Sequence, residues 1–258
     1  MSDRLLPFET IENFRDFGGY ATPSGTVRRG VLYRSGQLAR ATEADIARLG
    51  DLELGHVVDL RRSSERAKQP DRLPQGWAGR MVTTDLGGEG EAPHIQFLKT
   101  QPLTEDSGRR YMGQTYERMP FEPSHVALFR DYFDALASSN EAVLVHCAAG
   151  KDRTGLLVAL THSLMGVHDD DLMADYLATN AAVDLEGRAE EFGRALQKWT
   201  GKPVSHGAVV AFLGVEPAFL HRAIKAMEHK HGSLEGYLAA VLGVDTAKRD
   251  AIISRLSL

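Results

Sequence analysis

The sequence predicts an α/β domain: a mostly parallel central sheet flanked by helices, with a helical C-terminal cap. Three observations lead there. Short apolar runs such as His56-Val57-Val58 and Ala142-Val143-Leu144-Val145 suit strands buried on both faces of a parallel sheet. Segments of helical periodicity separate these runs. From Asp169 onward the pattern is helical alone. With 258 residues, 43% of them apolar, the chain can fill the core of one large domain spanning 1–258, in which 184–258 forms the mainly helical cap.

Taken in order, residues 11–34 read as short strands with turns at Gly18-Gly19 and Ser24-Gly25. Thr42 is placed to cap a short helix with Ile46 and Leu49 inward and Gly50 near its stop. His56–Leu60 and Arg80–Thr84 read as strands, and 86–108 as a long polar, glycine-bearing loop. Pro123 opens a helix that presents Val126, Phe129, Phe133 and Leu136 on one face. The strand at 142–145 leads through a tight loop into an apolar helix over 154–165, which Gly166 can end. Helices follow over about 169–181, 184–198, 216–231, 233–242 and 245–256. Residues 184–213 join the site-bearing half to the last helices, and are expected to lie over the loop as a lid.

The loop at 146–155 carries the chemistry. It reads His-Cys-Ala-Ala-Gly-Lys-Asp-Arg-Thr-Gly and holds the only cysteine of the chain, Cys147. A loop between a buried strand and a helix N-terminus turns unpaired N–H groups toward a common centre, where the helix dipole is positive. Ala148, Ala149 and Gly150 are small enough to let the backbone approach an anion. Arg153 offers a planar fork for two phosphate oxygens, and the Thr154 hydroxyl can donate to the sulfur. The helix end and the neighbouring cations favour the nucleophilic, ionised form of a thiol. His146 is expected to point to the opposite face of the strand and to bond backbone near the loop.

This string resembles the signature of the cysteine-dependent protein tyrosine phosphatase superfamily, His-Cys, five residues, then Arg-Ser/Thr. The form Gly-Lys-Asp-Arg-Thr-Gly is similar to that of the bacterial tyrosine phosphatase family that includes the secreted mycobacterial phosphatase B. Asn13-Phe14-Arg15-Asp16, Leu32-Tyr33-Arg34-Ser35, Asp59-Leu60-Arg61, Asp175-Tyr176-Leu177, Asn180 and Gly232–Leu238 extend the likeness over most of the chain. The resemblance implies a protein tyrosine phosphatase-like fold and a phosphate monoester hydrolase working through a cysteinyl-phosphate. It implies substrates among phosphotyrosine proteins, phosphoserine or phosphothreonine proteins, and phosphoinositides.

A leaving oxygen needs a proton, and a carboxyl group usually gives it. Three aspartates compete. Asp85, in Met81–Gly88, aligns with an aspartate proposed as the acid in a related enzyme. Asp152 lies in the loop, and Asp59 follows a strand, where it can instead pair Arg61 or Arg34. The Trp-Pro-Asp motif that carries the acid in many eukaryotic members is absent. Lys151 reads as a contact for a second phosphate, tilting the reading toward polyanionic substrates. Arg61 and Arg62 end a strand, where α/β sites collect; Arg61 is either a substrate contact or the partner of Glu65 or Asp16.

A net charge of −5 argues against a broad nucleic-acid-binding face. The N-terminal Met-Ser-Asp-Arg-Leu-Leu-Pro shows no signal-peptide pattern, and no run reads as an integral membrane segment. A single cysteine forms no intramolecular disulfide, which suits a cytoplasmic, reducing location. No ligand spacing calls for a metal or other cofactor, and the sequence carries no signal for an oligomeric state. Two rival activities stay open: a sulfurtransferase forming a persulfide on Cys147, and a catalytically silent phosphate-binding module.

Overall fold

The computed structural model describes residues 4–87 and 90–258. Its strands are β1 (Arg15–Asp16), β2 (Ala21–Thr22), β3 (Gly25–Thr26), β4 (Leu32–Ser35), β5 (Leu54–Asp59), β6 (Arg80–Val82) and β7 (Ala142–His146). Strands β2 and β3 make a small ribbon, and the other five form the central sheet in the order β1-β4-β7-β5-β6. All neighbours in that sheet are parallel except β1, which runs antiparallel to β4.

Strand β7 comes last in sequence yet enters the centre. Its His146 lies level with Ser35 of β4 on one side and Asp59 of β5 on the other. The loops that follow these three residues therefore share the carboxyl end of the sheet, where ligands collect in parallel α/β folds. Both faces are buried, which explains the unbroken apolar runs. Val58, Val143 and Val145 face the larger core, whereas Val57, Ala142 and Leu144 face a smaller one with Phe14, Leu38 and Leu49. Cys147 belongs to the larger core, so the period of two turns His146 to the opposite face, as expected.

The helices are α1 (Glu43–Asp51), α2 (Ser63–Lys68), α3 (Pro93–Thr100), α4 (Glu105–Arg118), α5 (Pro123–Ser138), α6 (Asp152–Met165), α7 (Asp169–Ala182), α8 (Leu185–Thr200), α9 (His206–Leu213), α10 (Pro217–His231), α11 (Leu234–Ala240) and α12 (Thr246–Leu256). Thr42 caps α1 through the Asp45 N–H, and Gly166 ends α6 in the left-handed conformation with φ of 76°. The long loop expected at 86–108 is corrected: it contains α3 and the first turn of α4, while residues 88–89 lie outside the described residues. Helix α4 hides its pattern because glycines sit on its buried face, Gly108, Met112, Gly113 and Tyr116. A side chain at Gly113 would press on Arg222 of α10, so the glycine permits close helix contact at the expense of a hydrophobic signal.

A second correction concerns membrane-length runs. The stretch His206–His231 reaches a hydropathy of 1.3 and passes by length and composition. The fold breaks it at 214–216 into α9 and α10, and half of its most apolar window is buried inside the protein.

Candidate active site

The loop after β7 is shaped from behind. The carbonyl of Ala148 accepts from the Gln37 N–H at 3.1 Å. The carbonyl of Gly150 accepts from Asn13 Nδ2 and from Arg34 Nη2, each at 2.8 Å, and that of Ala149 accepts from Asn13 at 3.4 Å. In a trans peptide the carbonyl of one residue and the N–H of the next point opposite ways. Three carbonyls held outward therefore turn the N–H groups of Ala149, Gly150 and Lys151 inward. The first-turn N–H groups of α6 continue the cup.

The groups behind the loop are themselves fixed by charge. Arg34 donates to Asp175 at 2.7 Å, and Arg15 donates to the same carboxylate at 3.1 Å; all three are buried. Burial alone would raise the Asp175 carboxyl, but Arg15 and Arg34 hold it well below the usual carboxylate range. Asn13 adopts a left-handed backbone, φ 56°, and its side-chain oxygen accepts from Arg15. The motif residues of the N-terminal half thus act as the back wall of the anion cup.

Gly150 has φ of 66°, and a Cβ there would collide with the Ser35 carbonyl. Gly150→Ala is expected to cost at least about 1–3 kcal/mol from backbone strain and to remove most activity. Urea unfolding together with a phosphate-release assay checks this, and a stable, active Ala variant would contradict the geometry.

Arg153 is aimed by an accounting of its five N–H donors. Nη1 donates to the Leu60 carbonyl at 3.1 Å and to Glu65 Oε2 at 2.7 Å, and Nη2 donates to Glu65 Oε1 at 3.0 Å. What remains is Nε–H with the second Nη2–H, one side of the fork, the shape that clasps two phosphate oxygens. Burial works against the Arg153 charge, but the Cys147 sulfur and the Glu65 carboxylate outweigh it and push its pKa higher. Burial likewise opposes the Glu65 charge, but Arg153 brings that carboxyl down to about 2. The pair is thus intact above the usual carboxylate range and is lost only as pH falls toward about 2. Glu65→Gln should raise KM for a phosphate ester by about tenfold, because it loses one charge-assisted bond that orients the fork. Steady-state kinetics measure this, and an unchanged KM would exclude the orienting role.

Other expected site residues fall into place or are displaced. Cys147 is only 2% exposed at the base of the cup. The buried Thr154 hydroxyl makes no hydrogen bond among the described residues. Asp152 Oδ1 accepts from Tyr116 at 2.9 Å, and Tyr116 in turn accepts from Tyr176 at 2.8 Å. Burial and the Asp152 charge push the Tyr116 hydroxyl well above the usual phenol value, so it remains a neutral donor. Asp152 Oδ2 is left beside the Lys151 ammonium at 3.6 Å.

Lys151 does not project freely. Its ammonium donates to the carbonyls of Phe212, Leu213 and Gly214 at the end of α9, at 3.1, 2.8 and 3.4 Å. Asp85 is 88% exposed and is held by Arg66 at 2.6 Å. Arg61 pairs neither Glu65 nor Asp16. It is buried, with Nη2 2.7 Å from both Asp59 and Asp71. His146 meets Asp71 at 3.2 Å rather than bonding backbone, which corrects that expectation. Asp59, Asp71 and His146 are spaced closely enough for a cation, but the Arg61 guanidinium already sits on both carboxylates and supplies the positive charge.

The phosphate loop opens into a cavity of about 770 Å³. Its floor is Cys147, Ala148, Ala149, Lys151, Asp152 and Arg153, and its roof comes from Phe192, Leu196 and Trp199 of α8 and Phe212 of α9. Helices α3, α4 and α5 add His94, Tyr111, Met112 and His125. Sequence reasoning missed these wall residues. Their only signal was faint helical spacing.

Comparison with known proteins follows the same lines. A family model described as "Tyrosine phosphatase family" matches residues 6–257. A Cupriavidus necator protein assigned as a tyrosine-protein phosphatase is 33% identical over 248 residues, covering 94% of this chain and 86% of its own. The triple specificity protein phosphatase PtpB of Mycobacterium tuberculosis is 32% identical over 256 residues, 88% and 90% of the two chains. A tyrosine-protein phosphatase of Nostoc commune is 29% identical over 222 residues, 82% and 69%. A match that runs almost end to end includes the back wall that shapes the cup as well as the cup itself. The chain therefore belongs to the tyrosine phosphatase family, enzymes that hydrolyse phosphate monoesters through a cysteinyl-phosphate.

Proposed function

We propose that this enzyme cleaves aryl phosphates of the phosphotyrosine type, with Cys147 as nucleophile and Asp152 as general acid. The observation that carries the assignment is that Arg153, with one edge of its fork unused, lines the same cavity as Cys147. Cys147 Sγ attacks phosphorus in line as the bond to the leaving oxygen breaks, giving a thiophosphate. The free edge of Arg153 and the inward N–H groups bind the three equatorial oxygens, and bind them best as they spread in the transition state. Asp152 gives its proton to the leaving oxygen. Its carboxylate then takes a proton from the water that displaces the sulfur, while Thr154 donates to the departing thiolate.

Asp152 is preferred to Asp85 because it lines the cavity and Asp85 does not. Asp59 is spent on Arg61. The engaged state of Lys151 favours protein phosphotyrosine over phosphoinositides, which need a cation free for a second phosphate. The roof of α8 and α9 acts as the lid that admits the substrate.

The decisive comparison uses aryl phosphates with leaving groups of different acidity. Asp152→Asn should lose on the order of 10²–10⁴ in kcat on poor leaving groups and little on good ones. Asp85→Asn should behave like the parent enzyme. The reverse pattern would move the acid to Asp85. Persulfide formation from thiosulfate, with no phosphate release, would favour a sulfurtransferase.

A further inference from the structure

Two of the buried tyrosine hydroxyls end on neutral groups. Tyr132 shares a bond of 2.9 Å with the Thr161 hydroxyl, and Tyr237 donates to the Pro120 carbonyl at 2.6 Å. Another two run in series to a carboxylate of the phosphate loop. A phenol hydroxyl has one proton to give. Tyr116 gives its proton to Asp152 Oδ1, so the 2.8 Å contact between the two hydroxyls is made by the proton of Tyr176. The donors thus all run one way, from α7 through α4 to the first turn of α6. Both tyrosines are buried. The Tyr116 ring packs against Phe219 of α10 and edge-on to Tyr176, with centroids 5.8 and 6.3 Å away. Gly155 makes room for this arrangement on the helix of Asp152 itself, because a Cβ there would come within 3.1 Å of the Tyr176 ring. Asp152 lines the cavity and Tyr116 does not. Oδ1 is therefore tied to a residue outside the lining, which leaves Oδ2 to serve the cavity.

We propose that Tyr116, itself held by Tyr176, is the positioning residue of the general acid: it fixes the Asp152 carboxyl in one orientation and confines the transferable proton to Oδ2. The proposal rests on the reading of Asp152 as the acid and deepens it. A free carboxyl turns about its Cβ–Cγ bond and carries its proton on either oxygen. With Oδ1 already accepting an O–H, a proton on the Tyr116 side would meet another proton, so it resides on Oδ2. As the ester bond breaks, that proton passes to the leaving oxygen. The carboxylate left behind keeps the Tyr116 bond, now strengthened by its charge. In the second half-reaction the attacking water gives a proton back to Oδ2. Tyr116 exchanges none, since burial and the Asp152 charge keep its hydroxyl neutral.

Tyr116→Phe removes one oxygen and keeps the packed ring. On phenyl phosphate, whose leaving group needs a proton, kcat is expected to fall about 10–100-fold, the scale of a misplaced catalytic group. KM should stay within about twofold, because the lost interaction acts only in the transition state. On 2,4-dinitrophenyl phosphate, whose leaving group needs no proton, kcat should change by less than about threefold. Tyr176→Phe leaves the Tyr116 donor but removes the bond that directs it. It should lose about three- to tenfold on phenyl phosphate alone, and it carries the same comparison if Tyr116→Phe fails to fold. A double-mutant cycle supplies a reading that a merely structural role would not move. In the Asp152→Asn background, Tyr116→Phe should cost less than about twofold on either ester. Equal losses on both esters and in both backgrounds overturn the proposal, because they show that the loop has simply loosened. A Tyr116→Phe enzyme that matches the parent on phenyl phosphate, beside an impaired Asp152→Asn, removes the positioning role and leaves the acid in place. An Asp152→Asn enzyme that matches the parent removes the acid, and the positioning role with it.

Discussion

Cys147→Ser is expected to abolish phosphate release from every ester while vanadate or phosphate still binds. The hydroxyl replaces the sulfur, but the cup is made by other groups: the inward N–H groups of the loop and the free edge of Arg153. Loss of a catalytic nucleophile typically costs on the order of 10⁴–10⁶ in kcat, the largest effect available from any single side chain here. Binding by calorimetry and turnover by phosphate release should therefore separate. Residual turnover within tenfold of the parent would show that another group attacks phosphorus. Loss of both would show that the sulfur, and not the backbone cup, holds the anion.

The largest stability effect is expected at Asp175, which is remote from substrate. Its carboxylate is the shared partner of two buried guanidiniums, Arg15 and Arg34. Asp175→Asn removes the negative charge and leaves both cations buried, at a cost of about 3–5 kcal/mol. The pH dependence follows from the direction of the shift. The Asp175 carboxyl lies well below its unfolded value, so its stabilisation is fully present above about pH 4 and is lost as pH falls through the lowered folded value. The parent enzyme should therefore lose stability on acidification more steeply than Asp175→Asn. Activity should fall too, because Arg34 holds the Gly150 carbonyl outward. Urea midpoints between pH 3 and pH 7 measure the difference in slope. Equal slopes for the two proteins would remove Asp175 from the account.

The contrast between these two residues shows what could be read from the chain. Cys147, Arg153 and Thr154 lie within one short segment, and a strand, a loop and a helix in succession place them roughly before distant parts refine their aim. Asp175 was visible only as part of a motif. Its role depends on meeting Arg15 and Arg34, residues 160 and 141 positions away. The acid shows the same limit. As letters, Asp85 was favoured over Asp152 and Asp59, yet Asp152 is the one of the three that lines the cavity. Lys151 read as a free cation because nothing local could show that its ammonium reaches the end of α9. Arg61 read as a substrate contact or a partner of Glu65, Asp16 or Asp59; Glu65 is taken by Arg153, and Arg61 is held by Asp59, as one alternative had it, and by Asp71.

The secondary structure divides along the same line. Helix α6 and strand β7 were legible because burial on all sides leaves an unbroken apolar run. Helices α3 and α4 were not, since one buries little and the other presents glycines to its neighbours. The sequence alone determined the α/β class, the position of the phosphate loop and the identity of its thiol and guanidinium, because local periodicity and spacing govern those. Only the tertiary structure decided which carboxylate lines the cavity, which cations are already paired and how large a chamber stands above the sulfur. Those properties arise between residues far apart in the chain, where burial and charge pairing, rather than local propensity, set the outcome.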